Sequence, residues 1–305
     1  MRRVRYEMDG ELITEDVAAP EPGPGEILVR AEAIGVTLPT VRKVREAAEQ
    51  PGSPGGEIAG RVVAAGEGVT GFAVGDRVTG LCFSHAYAEL AVLQQAMTSR
   101  VPDRASAVEA VALVRSGLVA RGAYEAGRPR PGDAVLVTAA ASAVGCLALQ
   151  HARAGGASRV VAAVSTAEKA DFVRSLGADG VVLYGDASWG EPVDVVLDGV
   201  GGDLLGPAVR ALAPGGRLVA FSSGGGTVDA YQLLVRSASV TGFQMARIAR
   251  ENPERYASWL ADLWRHHADG ALRAPVHAEF PLDEAARAHR VIEERRNLGK
   301  VVLVP

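Results

Sequence analysis

The chain has 305 residues, long enough for two domains, and its 32 Lys and Arg against 36 Asp and Glu leave a formal net charge of −4. No basic run of useful length accompanies that balance, so there is no electrostatic reason to expect nucleic acid or an anionic membrane surface as a partner, and a small-molecule substrate is expected. Two cysteines, Cys82 and Cys146, far apart and outside any Cys/His cluster, argue against a structural zinc, and no disulfide is expected.

The opening MRRVRYEMDGEL has no apolar core of the kind a signal peptide carries, so a cytoplasmic protein is expected. Residues 4–110 read mainly as short strands: 27–34, 58–65 and 77–80 are β runs broken by Gly and Pro, and 66–69 and 74–76 have turn chemistry. Frequent turns between short strands predict a β-barrel-like domain. From 105 to 126 the pattern becomes helical and marks the crossing into a second domain.

Residues 131–153, PGDAVLVTAAASAVGCLALQHAR, show strand, turn and helix together. Ala134–Val137 is an apolar run suited to a strand buried on both faces, and a helix of good formers begins near Ala143. Between them Ala140-Ala141-Ser142-Ala143-Val144-Gly145 has almost no side-chain bulk, so backbone amides can approach a pyrophosphate at the helix N-terminus. Only Gly145 survives of the G-x-G-x-x-G pattern, but the flanking strand, helix and second strand at 159–165 supply its context. That second strand ends at Ser165, where a carboxylate would hold a free ribose 2′-hydroxyl. Ser165 with Lys169 one helical turn on suits a 2′-phosphate, which predicts NADPH rather than NADH; a solvated Lys169 balancing Glu168 is the competing reading.

A helix at 169–176 is ended by Gly177, and strands follow at 180–184, 193–197 and 216–221, the second running into Asp198-Gly199-Val200-Gly201-Gly202. This alternation describes a doubly wound parallel sheet with the ligand across the strand C-termini. Residues 240–245 read as a last strand at a sheet edge, where pairing with another subunit predicts a homodimer. A helix at 252–270, a strand at 276–280, a helix at 282–296 and a strand at 300–304 complete the chain, the last expected to fold back onto the first domain.

This order, with Gly55-Gly56-Glu57-Ile58-Ala59-Gly60-Arg61-Val62-Val63, Gly75-Asp76-Arg77-Val78, Gly132-Asp133 through Gln150, Gly177-Ala178-Asp179, Asp198-Gly199-Val200-Gly201-Gly202 and Gly299-Lys300-Val301-Val302-Leu303, resembles the medium-chain dehydrogenase/reductases over essentially the whole chain. Within them it is most similar to the zinc-free quinone oxidoreductase, or ζ-crystallin-like, branch. The resemblance implies an α/β protein: a GroES-like, β-rich catalytic domain formed by residues 1–114 and 248–305, and a Rossmann domain, a doubly wound parallel sheet, at 115–247. It also implies that the three places where the alcohol dehydrogenase branch holds zinc read Thr37, Gly56 and approximately Arg115 here, so no metal is expected.

By the same resemblance, Ser142, Ala143 and Val144 offer amides to the pyrophosphate and Gly145 allows close packing. Ser165, Lys169 and Tyr184 surround the adenosine 2′-phosphate. Val200 and Gly201 flank the nicotinamide ribose, Phe221, Ser222 and Phe243 lie along the nicotinamide half, and Asn297 approaches the cofactor. Phe221 and Phe243 have a core reading as well.

Departures concern the substrate side: Gly35-Val36-Thr37 followed by Thr40, a charged and polar segment at 42–50, and Val119. Thr37 is the candidate for polarising a substrate oxygen, against the reading of a buried threonine bonded to a backbone carbonyl. His85 and Tyr87 are candidate pocket or proton-relay residues. The activity implied is NADPH-dependent, metal-independent hydride transfer to a quinone or an α,β-unsaturated carbonyl. A pathway-specific tailoring reductase with one elaborate substrate, and an NADPH-binding sensor or scaffold with little turnover, are the alternatives.

Overall fold

The computed structural model describes residues 1–46, 50–221 and 224–305. They form two compact units, Met1–Arg115 with Val276–Pro305, and Ser116–Pro275.

In the first unit β1 (Arg2–Tyr6) and β2 (Leu12–Asp16) form an antiparallel pair. The larger sheet is built on the long β3 (Glu26–Val36), whose Ile27, Val29, Ala33 and Ile34 are fully buried. Helix α1 (Leu38–Arg45) follows, then β4 (Gly56–Ala65), β5 (Arg77–Cys82), β6 (Leu90–Gln94) and β7 (Thr98–Arg100). Helix α1 occupies part of a stretch whose sequence reads as strands and a polar segment. Thr37 caps it, a proline sits in its first turn, Arg42, Lys43 and Arg45 complement its C-terminal dipole, and Val41 and Val44 are its buried stripe. Helix α2 (Ala107–Ala126) leads into the second unit.

The second unit alternates β8 (Ala134–Val137), α3 (Ala143–Ala154), β9 (Arg159–Val164), α4 (Ala170–Arg174), β10 (Gly180–Leu183), β11 (Val193–Asp198), α5 (Leu205–Arg210), β12 (Leu212–Ala220), α6 (Ala230–Arg236) and β13 (Ser239–Gly242). The strands lie in the order β10-β9-β8-β11-β12-β13, all parallel, which is the doubly wound order with its reversal between β8 and β11. All of β8 is buried, as its uninterrupted apolar run requires. Helices α7 (Met245–Glu251) and α8 (Pro253–Ala268) end this unit. The chain then returns to the first unit as β14 (Val276–Pro281), α9 (Ala285–Glu293) and β15 (Lys300–Val304), with β15 antiparallel to β3.

Two sequence expectations are corrected. The last strand of the parallel sheet stops at Gly242 rather than 245, because Met245 turns inward as the first residue of α7. The second domain boundary lies at 275, not 247, because α8 packs on α2: Leu263 is fully buried against Gly117, and Trp259 donates from Nε1 to Glu125 at 3.0 Å. Among the described residues no helix is long and apolar enough to cross a membrane.

His151 on α3 is buried with Nε2 unpartnered, and burial, reinforced by Arg121, pushes its pKa down to about 3. Burial likewise pushes His289 down to about 4. Both are neutral when folded and take a proton when unfolded, so the unfolded chain binds more protons. Their stabilisation is complete above about pH 6.5 and is lost as pH falls through the folded values. His151→Leu is therefore expected to flatten the acid-side loss of unfolding free energy between about pH 6.5 and 3 by up to ~1.4 kcal/mol per pH unit, read by urea denaturation across pH. An unchanged slope would contradict this account.

Candidate functional site

In the second unit the turn after β8 is fixed by three hydrogen bonds. Ala139 takes φ +49°, an uncommon angle for a residue with a Cβ, and its N–H donates to the Tyr184 hydroxyl at 3.0 Å. Ser142 caps α3, its Oγ accepting from Gly145 N–H at 3.1 Å while its carbonyl accepts from Cys146 N–H at 2.9 Å. The hydrogen bonds described leave the amides of Ala143 and Val144 without an acceptor at the helix N-terminus. A Cβ on Gly145 would lie 2.1 Å from the Ala139 carbonyl oxygen and 2.7 Å from Ala140 Cα, so this turn tolerates only glycine there. The cradle expected of Ser142, Ala143, Val144 and Gly145 is thus present as backbone geometry.

A second turn, after β11, is locked to the first. Thr138 Oγ1 donates to Asp198 Oδ1 at 2.7 Å and accepts from Gly199 N–H at 2.9 Å. Asp198, fully buried, also accepts from Val200 N–H at 3.3 Å and Gly201 N–H at 2.9 Å. Gly201 adopts φ +73°, and a Cβ there would lie 2.7 Å from the Gly225 carbonyl oxygen. Val200 and Gly201 are therefore held at the point where the strand order reverses. Thr138 was missed by the sequence reading; its signal is a lone hydroxyl directly following a strand of four buried apolar residues.

At the end of β9, Ser165 Oγ is buried and has no hydrogen-bond partner, an orphan of the kind that marks a place for a bound group. The Glu168 carboxyl is held below the usual range chiefly by a hydrogen bond from the Thr166 side chain. Lys169 closes the short 3₁₀ turn at 167–169. Tyr184 N–H donates to the Val164 carbonyl at 3.1 Å, next to Ser165, and its hydroxyl accepts from the β8 turn, so part of its role is to support the cradle. Phe221 lies over Gly199, where a Cβ would meet its ring at 2.9 Å. Ser222 lies outside the described residues. Phe243 corrects to a packing residue: its ring fills the space over Gly122 and lies 6.5 Å from the Trp259 ring.

In the first unit the three catalytic candidates fare differently. Thr40 Oγ1 donates to the Gly55 carbonyl at 2.9 Å and lies 3.1 Å from Thr37 Oγ1. Since Thr40 has spent its one proton, Thr37 must be the donor in that pair, and it accepts from Thr40 N–H as well. Thr37 is thus a helix cap with no proton left for a substrate oxygen, which corrects the polarising role expected of it. Tyr87 is fully buried, its hydroxyl 3.0 Å from His289 Nε2, and burial with the nearby Glu57 charge pushes its pKa up. It too is removed from the candidates, being sealed in the core.

His85 is exposed, at φ +58°, and lines a cleft of about 370 Å³ with Arg3, Cys82 and Phe83. Its Nδ1 lies 3.3 Å from Arg3 Nη1, and because arginine only donates, the neutral ring carries its proton on Nε2. Burial and Arg3 hold its pKa below the ordinary histidine value. Asn297 Nδ2 donates to the Gly299 carbonyl at 3.1 Å and so shapes the turn into β15.

Glu57 and Lys300, each 3% exposed, form a buried ion pair with Nζ 2.5 Å from Oε1, and Arg115 Nη1 lies 3.6 Å from the same oxygen. Burial pushes the Lys300 pKa down, against the opposing pull of Glu57. Thr37 offers only a neutral hydroxyl already engaged with Thr40, Gly56 has no side chain, and Arg115 is a cation, so these three positions do not fit zinc. Among the described residues no group of three or more His, Cys, Asp and Glu could hold a metal ion.

The family model "Alcohol dehydrogenase GroES-like domain" matches residues 23–103, and "Zinc-binding dehydrogenase" matches residues 176–303. The quinone oxidoreductase of Pseudomonas aeruginosa is 34% identical over 313 residues, spanning 95% of this chain and 94% of its own. This chain belongs to the medium-chain dehydrogenase/reductases, in their quinone oxidoreductase branch. Another relative in that breadth, a 2-haloacrylate reductase from a Burkholderia species, is 32% identical across 96% of this chain and 95% of its own. A mycobacterial protein solved as a complex with NADPH is 33% identical, with a TM-score of 0.92 and both chains covered in full. The medium-chain reductase frame accounts for both units, the GroES-like first and the Rossmann second.

Replacing Thr138 by Val removes the hydroxyl that serves Asp198 and Gly199 at once. Unfolding free energy is expected to fall by about 1–3 kcal/mol, with Thr138→Ser retaining most of it, as measured by chemical denaturation. Equal stability of the valine variant and the parent would show the clamp to be dispensable.

Proposed function

We propose that this chain is an NADPH-dependent reductase that delivers hydride to a quinone or an α,β-unsaturated carbonyl. The observation that carries the cofactor choice is Ser165: its buried Oγ lacks a partner at the strand end where a carboxylate for a free 2′-hydroxyl is absent. The mycobacterial relative's complex with NADPH supports the same choice. Ala143 and Val144 amides and the α3 dipole hold the pyrophosphate, Ser165 and Lys169 take the 2′-phosphate, and Val200, Gly201 and Phe221 border the nicotinamide half. Asn297 shapes the C-terminal approach. The bound nicotinamide supplies a hydride from C4.

A conjugated alkene accepts that hydride at its β-carbon and takes a proton from solvent at its α-carbon, the negative charge resting meanwhile on the carbonyl oxygen. This chemistry suits a chain whose zinc positions hold Thr37, Gly56 and Arg115, because charge spread over a conjugated system needs less stabilisation than a localised alkoxide. His85, with Nε2–H available, remains a pocket residue of the first unit. The 2-haloacrylate reductase supports an electron-poor alkene as acceptor.

The protein works as a cytoplasmic homodimer in this reading. β13 is an edge strand with an exposed ladder, and Tyr231, Leu234, Val235 and Val240 on or beside it are exposed at 63%, 72%, 53% and 37%. Sedimentation of the wild type is expected to give a dimer, and of Leu234→Glu combined with Val240→Lys a monomer; a monomeric wild type would refute this.

Lys169→Ala is expected to weaken NADPH binding about 10- to 100-fold, the worth of a charge-assisted hydrogen bond, while leaving NADH affinity within about twofold. Calorimetric titration with both nucleotides measures it. Equal loss for the two, or none, would remove Lys169 from the phosphate site.

A further inference from the structure

In the second unit Thr138 stands immediately after β8, fully buried, and its one hydroxyl serves two partners in the turn after β11. It donates to Asp198 Oδ1 at 2.7 Å and accepts from Gly199 N–H at 2.9 Å. Asp198 in turn accepts from Val200 N–H on Oδ1 at 3.3 Å and from Gly201 N–H on Oδ2 at 2.9 Å. The Thr138 proton therefore fixes the carboxylate, the carboxylate fixes two amides of the turn, and a third amide is bonded to Thr138 directly. Hydrogen bonds to an ionised acceptor are the stronger kind, and a buried carboxylate cannot exchange them for water.

The two turns at the reversal of strand order depend on this side chain unequally. The turn after β8 is held by Ala139 N–H on the Tyr184 hydroxyl at 3.0 Å, Ala140 N–H on the Ala163 carbonyl at 3.3 Å, Ser142 N–H on the Ala139 carbonyl at 2.8 Å and Gly145 N–H on Ser142 Oγ at 3.1 Å. None of these uses the Thr138 hydroxyl, and the Thr138 N–H donates to the Leu197 carbonyl at 3.0 Å whatever side chain the residue carries. Loss of the hydroxyl would leave the cradle's own bonds in place. It would free the Asp198 carboxylate to rotate about χ2 and take from Gly199 N–H its acceptor.

We infer that Thr138 is a positioning residue for the nicotinamide half of the cofactor: through Asp198 it holds Val200 and Gly201 in place, and it has no part in holding the adenosine 2′-phosphate end. This rests on the reductase reading above, which gives Val200 and Gly201 to the nicotinamide half, and deepens it. Hydride transfer from C4 is sensitive to placement, a displacement of about 1 Å costing on the order of 100-fold in rate. Valine reproduces the shape of threonine and lacks both its donor and its acceptor, whereas serine keeps both and lacks only a methyl group. The pair of substitutions therefore separates the hydrogen bonds from the packing.

The test titrates NADP⁺ and adenosine 2′,5′-bisphosphate, which lacks the nicotinamide half, into wild type and variants by calorimetry. Thr138→Val is expected to weaken NADP⁺ about 10-fold, the worth of hydrogen bonds to a charged group, and to leave the bisphosphate within about twofold. With 1,4-naphthoquinone and 3-penten-2-one as acceptors, its kcat is expected to fall about 10- to 100-fold for both alike, and Thr138→Ser to stay within about threefold of wild type on every measure. Equal weakening of the two nucleotides, or no change in NADP⁺ affinity and kcat, would overturn the assignment. So would a loss confined to one acceptor, which would put Thr138 on the acceptor's side instead.

A wild type that binds NADP⁺ but oxidises NADPH with neither acceptor would overturn the reductase reading, and the two nucleotides then decide Thr138 separately: selective weakening of NADP⁺ supports it, and equal weakening or none refutes it. A wild type that binds no NADP⁺ overturns both. Near-UV circular dichroism confirms that each variant is folded. Thr138→Ala, which removes the hydroxyl without setting a methyl group against the Asp198 carboxylate, carries the comparison should the valine variant fail to fold.

Discussion

The second unit depends on one buried carboxylate. Asp198 sits at the end of β11 with no exposure, and a buried anion is tolerated only when its oxygens are filled with donors. Here they are filled by the Thr138 hydroxyl and the amides of Val200 and Gly201, which belong to the two turns flanking the reversal of strand order. The carboxylate's need for donors thus sets the backbone path of both turns. Among the described residues that path leaves the Ala143 and Val144 amides with no acceptor, while Ser142 has already satisfied Gly145. An anion cradle is what remains when the interior has taken the donors it requires.

The first unit shows the same bookkeeping with the opposite sign. Its polar corner contains one buried acid and two bases, and the acid is closed on one side only. Glu57 is neutralised by Lys300 from within, while Arg115, one-third exposed, keeps its charge toward water. In the same unit the Thr37 to Thr40 to Gly55 relay runs donor to acceptor in one direction and ends on a backbone carbonyl.

The sheet was legible in the sequence because parallel strands buried on both faces must be uninterrupted apolar runs, as Ala134–Val137 and Arg159–Val164 largely are. The cradle was legible because it needs the absence of side chains, and an absence can be read locally. Thr37 and Tyr87 were misread for the converse reason. Their roles are decided by partners remote in the chain: Tyr87 meets His289, 202 residues away, and the direction of the Thr37 proton depends on the Gly55 carbonyl. Helix α1 was hidden by its own basic residues, since only Val41 and Val44 of the stretch reveal an apolar stripe. The boundary near 275 was hidden because Trp259 and Leu263 look alike whether they cover a barrel or a helix.

The contrast between the two units bears on why substrate recognition can diverge while cofactor binding persists. The cradle is made of backbone, and Gly145 and Gly201 are fixed by collisions with carbonyl oxygens at 2.1 and 2.7 Å, so few substitutions survive there. The polar corner of the first unit is made of side chains. A side-chain change at Arg115 leaves β3 and β4 undisturbed, since their pairing relies on backbone bonds and on buried Ile34 and Ile58.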